Sequence, residues 1–284
     1  MTNRIAIVYF SATGVTRTYA GVMRDKLLQS DCAVEMFDVT ALQSRSLPLP
    51  IANVDCFIFG FPVYADFAPS VINTWLPTLS GDGKCCTQFL TYGGRTTGYA
   101  HFHTKLLLEG AGFQVLLSGE FLGRHSFNYA GWTVCPDRPH QGDLHVAREY
   151  AVLALDLFSQ ANPPLLKLQK PFGYWCSVER LGEERHGQER SWPQPCRSAQ
   201  DCQMCLRCEE ECPTGAFNAQ TGQSNPDQCI ECMHCVAICP DYVIEVSQHR
   251  VISNQKFLDY CHLDDDMLDA KQSRIIQYPW QAAA

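Results

Sequence analysis

The sequence predicts an α/β protein: a five-stranded parallel sheet with helices on both faces, followed by a small α+β unit arranged around cysteines. Three observations carry this. From residue 4 to about 160, short β-rich runs alternate with helix-length amphipathic ones. The cysteine spacing of "CQMCLRCEEECP" at 202–213 returns unchanged in "CIECMHCVAICP" at 229–240. Between these regions lies a stretch, 161–195, that repeats neither pattern.

The alternating elements run in order. "IAIVYF" at 5–10 is the first strand, Val15 to Gln29 the first helix, "AVEMFDV" the second strand and "VDCFIFGF" the third. A helix over Pro69–Leu79, the strand "TQFLTYGG", a helix over Tyr99–Gly110, the strand "FQVLLSG" and a helix over Leu144–Gln160 complete the set. In such sheets ligands bind beyond the carboxyl ends of the strands.

The loop at that edge after strand one is "SATGVT": Ser11, Ala12, Thr13, Gly14, Val15 and Thr16. Short hydroxyl residues and a glycine let backbone N–H groups and a helix amino terminus converge on one anion. The loop lacks the lysine of a P-loop and the three glycines of a dinucleotide fingerprint, so it suits a terminal phosphate monoester. A hydroxyl-rich turn is also an ordinary helix cap; its place at the end of strand one favours the phosphate.

Two further loops fall at the same edge. "GFPVYADFAP" contributes Pro62, Val63, Tyr64 and Ala65, and "TYGGRTTGY" contributes Tyr92, Gly93, Gly94 and Arg95. An aromatic face with backbone donors is what a planar, heteroatom-edged ring requires. A third loop, "GRHSFNYAGW", follows strand five. Phe61 and Trp75 read as core.

With these loops quoted, residues 1–160 resemble a short-chain flavodoxin. The resemblance implies non-covalent FMN held by the three residue groups above. Many flavodoxins place glycine after the ring-stacking residue, whereas Tyr64 is followed by Ala65 and Asp66; alanine resists the positive backbone angle glycine accepts.

In each cysteine run, three residues at i, i+3 and i+6 wrap one iron–sulfur cube, and the following Cys-Pro sends its thiolate to the other. That assigns Cys202, Cys205, Cys208 and Cys239 to one 4Fe-4S cluster, and Cys229, Cys232, Cys235 and Cys212 to a second. Zinc sites use paired C-x2-C units and have no use for this spacing. The stretch "FNAQTGQSNPDQ" supplies hairpin chemistry between the runs. Residues 196–250 resemble a bacterial two-cluster ferredoxin, and the whole chain resembles the flavodoxin–ferredoxin fusion (EFR-type) electron-transfer proteins. The expected organisation is an FMN-binding unit at 1–160, a packed linker at 161–195 touching both modules, the two-cluster unit at 196–250, and a C-terminal tail at 251–284.

Composition bounds the function. A formal charge of −8 argues against a nucleic-acid partner and for redox partner proteins with basic docking surfaces. There is no membrane-length apolar run and no signal-peptide pattern, so the expectation is cytoplasmic. Most of the other eight cysteines (Cys32, Cys56, Cys85, Cys86, Cys135, Cys176, Cys196 and Cys261) read as small buried hydrophobes. The expected function is electron transfer between two 4Fe-4S clusters and FMN, converting one- and two-electron carriers for a partner enzyme. The alternative is an FMN-dependent reductase acting on a small substrate, with Asp66, Arg124 and His125 as its polar groups.

Overall fold

The computed structural model describes residues 4–183, 194–198, 201–246 and 253–276. The strands β1 (Arg4–Tyr9), β2 (Ala33–Asp38), β3 (Cys56–Pro62), β4 (Cys85–Tyr92) and β5 (Gln114–Leu122) are mutually parallel in the order β2-β1-β3-β4-β5. This is the strand order of the flavodoxin-like doubly wound folds. Successive side chains of a strand point to opposite faces, and β1 shows the consequence. Ile5, Ile7 and Tyr9 pack with Tyr19 and Met23 of α1 (Val15–Leu28) and with Tyr150 of α4 (Gln141–Phe158), counting α2 (Ser70–Trp75) and α3 (Ala100–Gly110) between them. Ala6, Val8 and Phe10 face the other layer, with Ile72 and Trp75 of α2 and Leu108 of α3. Phe61 and Trp75 are core, as expected.

Among the described residues the sheet has six strands, not five. Short helices α8 (Asn254–Cys261) and α9 (Asp265–Asp269) lead into a final strand, β10 (Arg274–Ile276), which pairs antiparallel with β5. An uncovered β5 would present a row of unpaired backbone groups, and β10 covers it. Two buried polar knots hold it there. Ser273 donates to Asp143 Oδ1 at 2.6 Å and accepts from the Leu122 N–H at 2.9 Å, while Arg138 donates to both Asp143 oxygens at 2.9 Å and to the Lys271 carbonyl at 2.9 Å. Arg274 Nε lies 2.5 Å from Glu120, which also accepts from Thr97 at 3.0 Å and meets His101 at 3.2 Å.

Glu120 supplies a pH-dependent part of this stability. Burial alone pushes its carboxyl up, but the His101 hydrogen bond and charge, Arg274 and Thr97 prevail and hold it at about 2 against an ordinary 4.5. A depressed carboxyl stabilises the fold fully above its unfolded pKa, and the contribution fades as pH falls from 4.5 through 2. Glu120→Gln is expected to cost on the order of 3 kcal/mol at neutral pH and to flatten the stability curve across that acid window. Urea unfolding at stepped pH checks both; an unchanged slope in the acid window would contradict the assignment.

Of the segment after α4, Leu166 and Tyr174 pack into the α3 side. Leu166 is buried in the α3-side core, and its N–H donates to the Val115 carbonyl at 2.8 Å. Tyr174, opening α5 (Tyr174–Glu183), packs on Phe102 at 4.9 Å and bonds His103 Nδ1 through its hydroxyl at 2.7 Å. Trp175 is 55% exposed, resting on Tyr174 with Lys170 over its ring, and Phe172 is fully exposed. The rest of the linker, 184–193, lies outside the described residues.

The remaining residues form a small four-stranded sheet in the order β7-β8-β6-β9, from β6 (Pro195–Arg197), β7 (Phe217–Asn218), β8 (Gln223–Ser224) and β9 (Ile244–Val246). The β7–β8 hairpin turns through Gly222 at φ 69°. Helices α6 (Arg207–Glu210) and α7 (His234–Ile238) carry parts of the cysteine runs, and Phe217 and Ile244 pack among Cys208, Cys212, Cys235 and Cys239. Of the eight cysteines outside the runs, Cys32, Cys56, Cys86 and Cys135 are buried, Cys85, Cys196 and Cys261 are half-buried, and Cys176 is exposed on α5. Among the described residues, no helix is long and apolar enough to cross a membrane.

Candidate cofactor site

Beyond the carboxyl ends of β1, β3, β4 and β5 lies a cleft of about 310 Å³. The first loop closes one end. Gly14 caps α1 at φ 89°, a left-handed angle natural to glycine. Ser11 Oγ accepts from the Arg17 N–H at 3.0 Å, and Thr16 Oγ1 lies 2.8 Å from Thr91 Oγ1, tying the loop to the end of β4. Ser11, Ala12, Thr13, Val15 and Thr16 line the cleft; Gly14 instead borders an adjoining groove.

The second loop is a tight hairpin. Tyr64 and Phe67 exchange backbone hydrogen bonds of 2.7 and 3.1 Å around Ala65 at φ 46° and Asp66 at φ 70°. Positive angles at both central residues are the geometry of a two-residue hairpin turn, so Ala65 does adopt the angle that alanine intrinsically resists. Asp66 is anchored by Arg95 at 3.2 Å and by the Tyr99 N–H on its carbonyl at 2.8 Å. Pro62, Val63, Tyr64, Ala65 and Asp66 all line the cleft. Phe67 turns away to pack on Tyr99 and His103.

From the third group, Tyr92, Gly93 and Arg95 line the cleft, whereas Gly94 faces Cys135 and Leu268. Arg124 and His125 line it too. His125 is held neutral, its pKa pushed down to about 4 by burial; Nδ1 accepts from the Phe127 N–H at 3.1 Å, leaving the hydrogen on Nε2.

Three lining residues, Phe257, Ile230 and Glu231, lie outside the loops that the sequence places at this edge. Trp132 and Phe257 form an aromatic wall, their rings 4.3 Å apart, and Ile230 and Glu231 reach the cleft from between cysteines of the second run. Phe257 comes from the segment that the sequence presents as a tail. Trp132 closes the third loop read from the sequence, whereas nothing local in the sequence places Phe257, Ile230 or Glu231 here; these arrive by long-range packing.

The eight cysteines of the runs separate into two sets. Cys202, Cys205, Cys208 and Cys239 line one small cavity, and Cys212, Cys229, Cys232 and Cys235 line another. Both runs use one backbone conformation: Met204 and Leu206 in the first, and Glu231 and Met233 at matching positions in the second, have φ between 54° and 63°. In each run a backbone N–H turns back to the first sulfur, Met204 to Cys202 and Glu231 to Cys229, both at 3.4 Å. Among the described residues no three His, Cys, Asp or Glu converge on a single metal ion. Burial pushes the Cys208 thiol up to about 11 and those of Cys232 and Cys235 well above their ordinary value, so these sites favour ionised sulfur only beside a cation.

The second cavity abuts the cleft. Cys232 is buried in the same apolar cluster as Phe10 and Phe61, with Tyr64 and Ile230 against it. Burial first, and the Cys232 sulfur second, raise the Tyr64 hydroxyl pKa. Met233 packs with Ala130, and His234 Nδ1 lies 2.6 Å from the carbonyl of Ala12 in the first loop.

No protein-family model matches the chain. A stretch of 47 residues is 45% identical to one subunit of an ion-translocating oxidoreductase complex of Methanosarcina acetivorans, covering 16% of this chain and 18% of that protein. The match thus spans under a fifth of that relative's length. Similar solved structures include a flavodoxin from the domain Archaea (14% identity, 55% of this chain and 99% of that one, TM-score 0.41). Others are the flavodiiron core of Flv1 from Synechocystis (19%, 57% and 37%, 0.43) and Flavodoxin 1 of Bacillus cereus (15%, 54% and 98%, 0.42).

Proposed function

We propose that the protein is an electron-transfer flavo-iron–sulfur protein. It holds FMN in the cleft and a 4Fe-4S cluster in each four-cysteine cavity, and passes electrons between them for a basic-surfaced redox partner protein in the cytoplasm. The observation that carries this reading is the shared wall: Cys232 and Ile230 separate a cysteine cavity from a cleft shaped for a ring with a phosphate. The donor sets fit both groups. Four sulfurs spread around one cavity suit a cubane body more than one ion. Tyr64, Tyr92 and backbone N–H groups suit a planar ring, and the α1 amino terminus suits a phosphate.

When bound, the flavin exchanges one or two electrons and each cluster one. The chain does the rest. The first loop and α1 bind the phosphate; Tyr64 and the Trp132–Phe257 pair flank the ring space and exclude water; His125 keeps its proton on Nε2 across the physiological range. The packing of Cys232 and Ile230 against Tyr64 keeps one cluster close to the ring, with the cluster of Cys202, Cys205, Cys208 and Cys239 as the outer terminal.

Anaerobically prepared protein is expected to contain one FMN and about eight irons per chain, four for each cubane. In a reductive titration that follows flavin and cluster bands separately, electrons supplied to the clusters should appear at the flavin. Zinc in place of iron, or flavin bands that respond independently of the clusters, would overturn the reading.

A further inference from the structure

We propose that Arg45 is a potential-setting residue, a fixed cation that the parallel-sheet half supplies to the cluster held by Cys212, Cys229, Cys232 and Cys235. This rests on the cluster reading above. Arg45 sits in a single 3-10 turn, Gln43–Ser46, that follows β2 and presses on the loop carrying Cys212. Its Nη1 donates to the carbonyls of Val39 at 2.7 Å, Thr40 at 2.8 Å and Ala41 at 3.3 Å, and its Nη2 donates to the carbonyl of Pro213, the residue after Cys212.

These acceptors are all neutral. They orient the guanidinium without cancelling its charge, and a guanidinium stays protonated throughout the physiological range, so the half-buried positive charge persists beside the Cys212 loop. Burial lowers the Arg45 pKa, and the Cys212 sulfur raises it. The turn itself is fixed: Gln43 Nε2 donates to the Glu210 carbonyl at 2.5 Å, and Trp75 Nε1 donates to the Arg45 carbonyl at 3.1 Å.

Adding one electron adds one negative charge to the cluster. A cation held beside a ligand lowers the energy of that reduced state more than the oxidised one, and cluster potentials respond to such neighbouring charge. The cluster beside the flavin therefore accepts electrons more readily than it would alone, at the hand of a residue 168 positions before the proline that it grips.

The test is an EPR-monitored redox titration of the whole protein and three variants. Arg45→Gln removes the charge, Arg45→Lys keeps it without the fork, and Gln43→Ala removes the adjacent grip while leaving the charge. Arg45→Gln is expected to shift the equilibrium of the inner cluster toward oxidised by about tenfold or more, roughly 59 mV for one electron, with a much smaller shift at the outer cluster. Arg45→Lys should recover most of it, and Gln43→Ala should cause little. An unchanged inner midpoint, equal shifts at both clusters, or a Gln43→Ala shift matching that of Arg45→Gln would overturn the proposal. Should Arg45→Gln not retain its iron, the Lys variant decides: an inner midpoint within the scatter of the unaltered protein and Gln43→Ala supports the electrostatic role, and one lowered by tenfold or more refutes it. Iron content and two cluster signals in the unaltered protein test the cluster reading separately.

Discussion

Replacing Cys212 with serine is expected to abolish the cluster of the second cysteine run and to spare the cluster of its own run. The reason is where the side chain lies. Cys212 closes the sequence pattern at 202–213, yet it lines the cavity of Cys229, Cys232 and Cys235, while Cys239 closes the other. Since the second cavity shares its wall with the flavin cleft, electron exchange between the flavin and the remaining cluster should fall by orders of magnitude. Cys239→Ser should do the reverse, damaging the outer cluster and leaving transfer between the flavin and the inner one. Iron analysis with spectroscopy that resolves the clusters checks both arms. Loss confined to the cluster of Cys202, Cys205 and Cys208 in the Cys212 variant would mean that ligation is not crossed.

What the sequence discloses here depends on how local the determining interactions are. The period of two in "IAIVYF" already separates Ile5, Ile7 and Tyr9 from Ala6, Val8 and Phe10, and the structure sends the two sets to opposite layers. The cysteine spacing is equally local, because residues three apart in one loop face one cavity. β10 has no such signature. Its segment "RII" carries no period, and the groups that hold it are distant in sequence: Glu120, 154 positions before Arg274, and Asp143, 130 before Ser273. The same kind of distance hid Phe257 and the reach of Ile230 into the cleft. At Ala65 the intrinsic preference of alanine was legible and was overridden, since the paired hydrogen bonds of Tyr64 and Phe67 impose the turn. In the linker the aromatic content signalled packing, but the side it packs on was decided by Phe102 and His103 of α3.

A single added branch at Gly93 is expected to weaken flavin binding with the clusters still in place. A Cβ there would stand 2.7 Å from the His125 Cα and 2.8 Å from its ring, closer than real carbon contacts allow. His125 has no room to retreat. Its ring lies 4.9 Å from Trp132, 5.4 Å from Phe257 and 5.6 Å from Phe127, and its backbone N–H donates to the Val134 carbonyl at 3.1 Å. The strain must therefore move the Gly93 loop, which lines the cleft, toward the ring space. Overpacking of this kind costs roughly 1–3 kcal/mol, which taken from binding weakens flavin affinity about 5- to 150-fold; Gly93→Val belongs at the upper end and Gly93→Ala at the lower. Flavin fluorescence titration measures the affinity, and iron content measures the clusters. Pairing Gly93→Ala with Phe257→Ala supplies the internal control: if the wedge around His125 is the cause, removing the Phe257 ring gives the histidine a place to go and restores part of the lost affinity, whereas a double variant as weak as the single one would place the damage elsewhere in the loop.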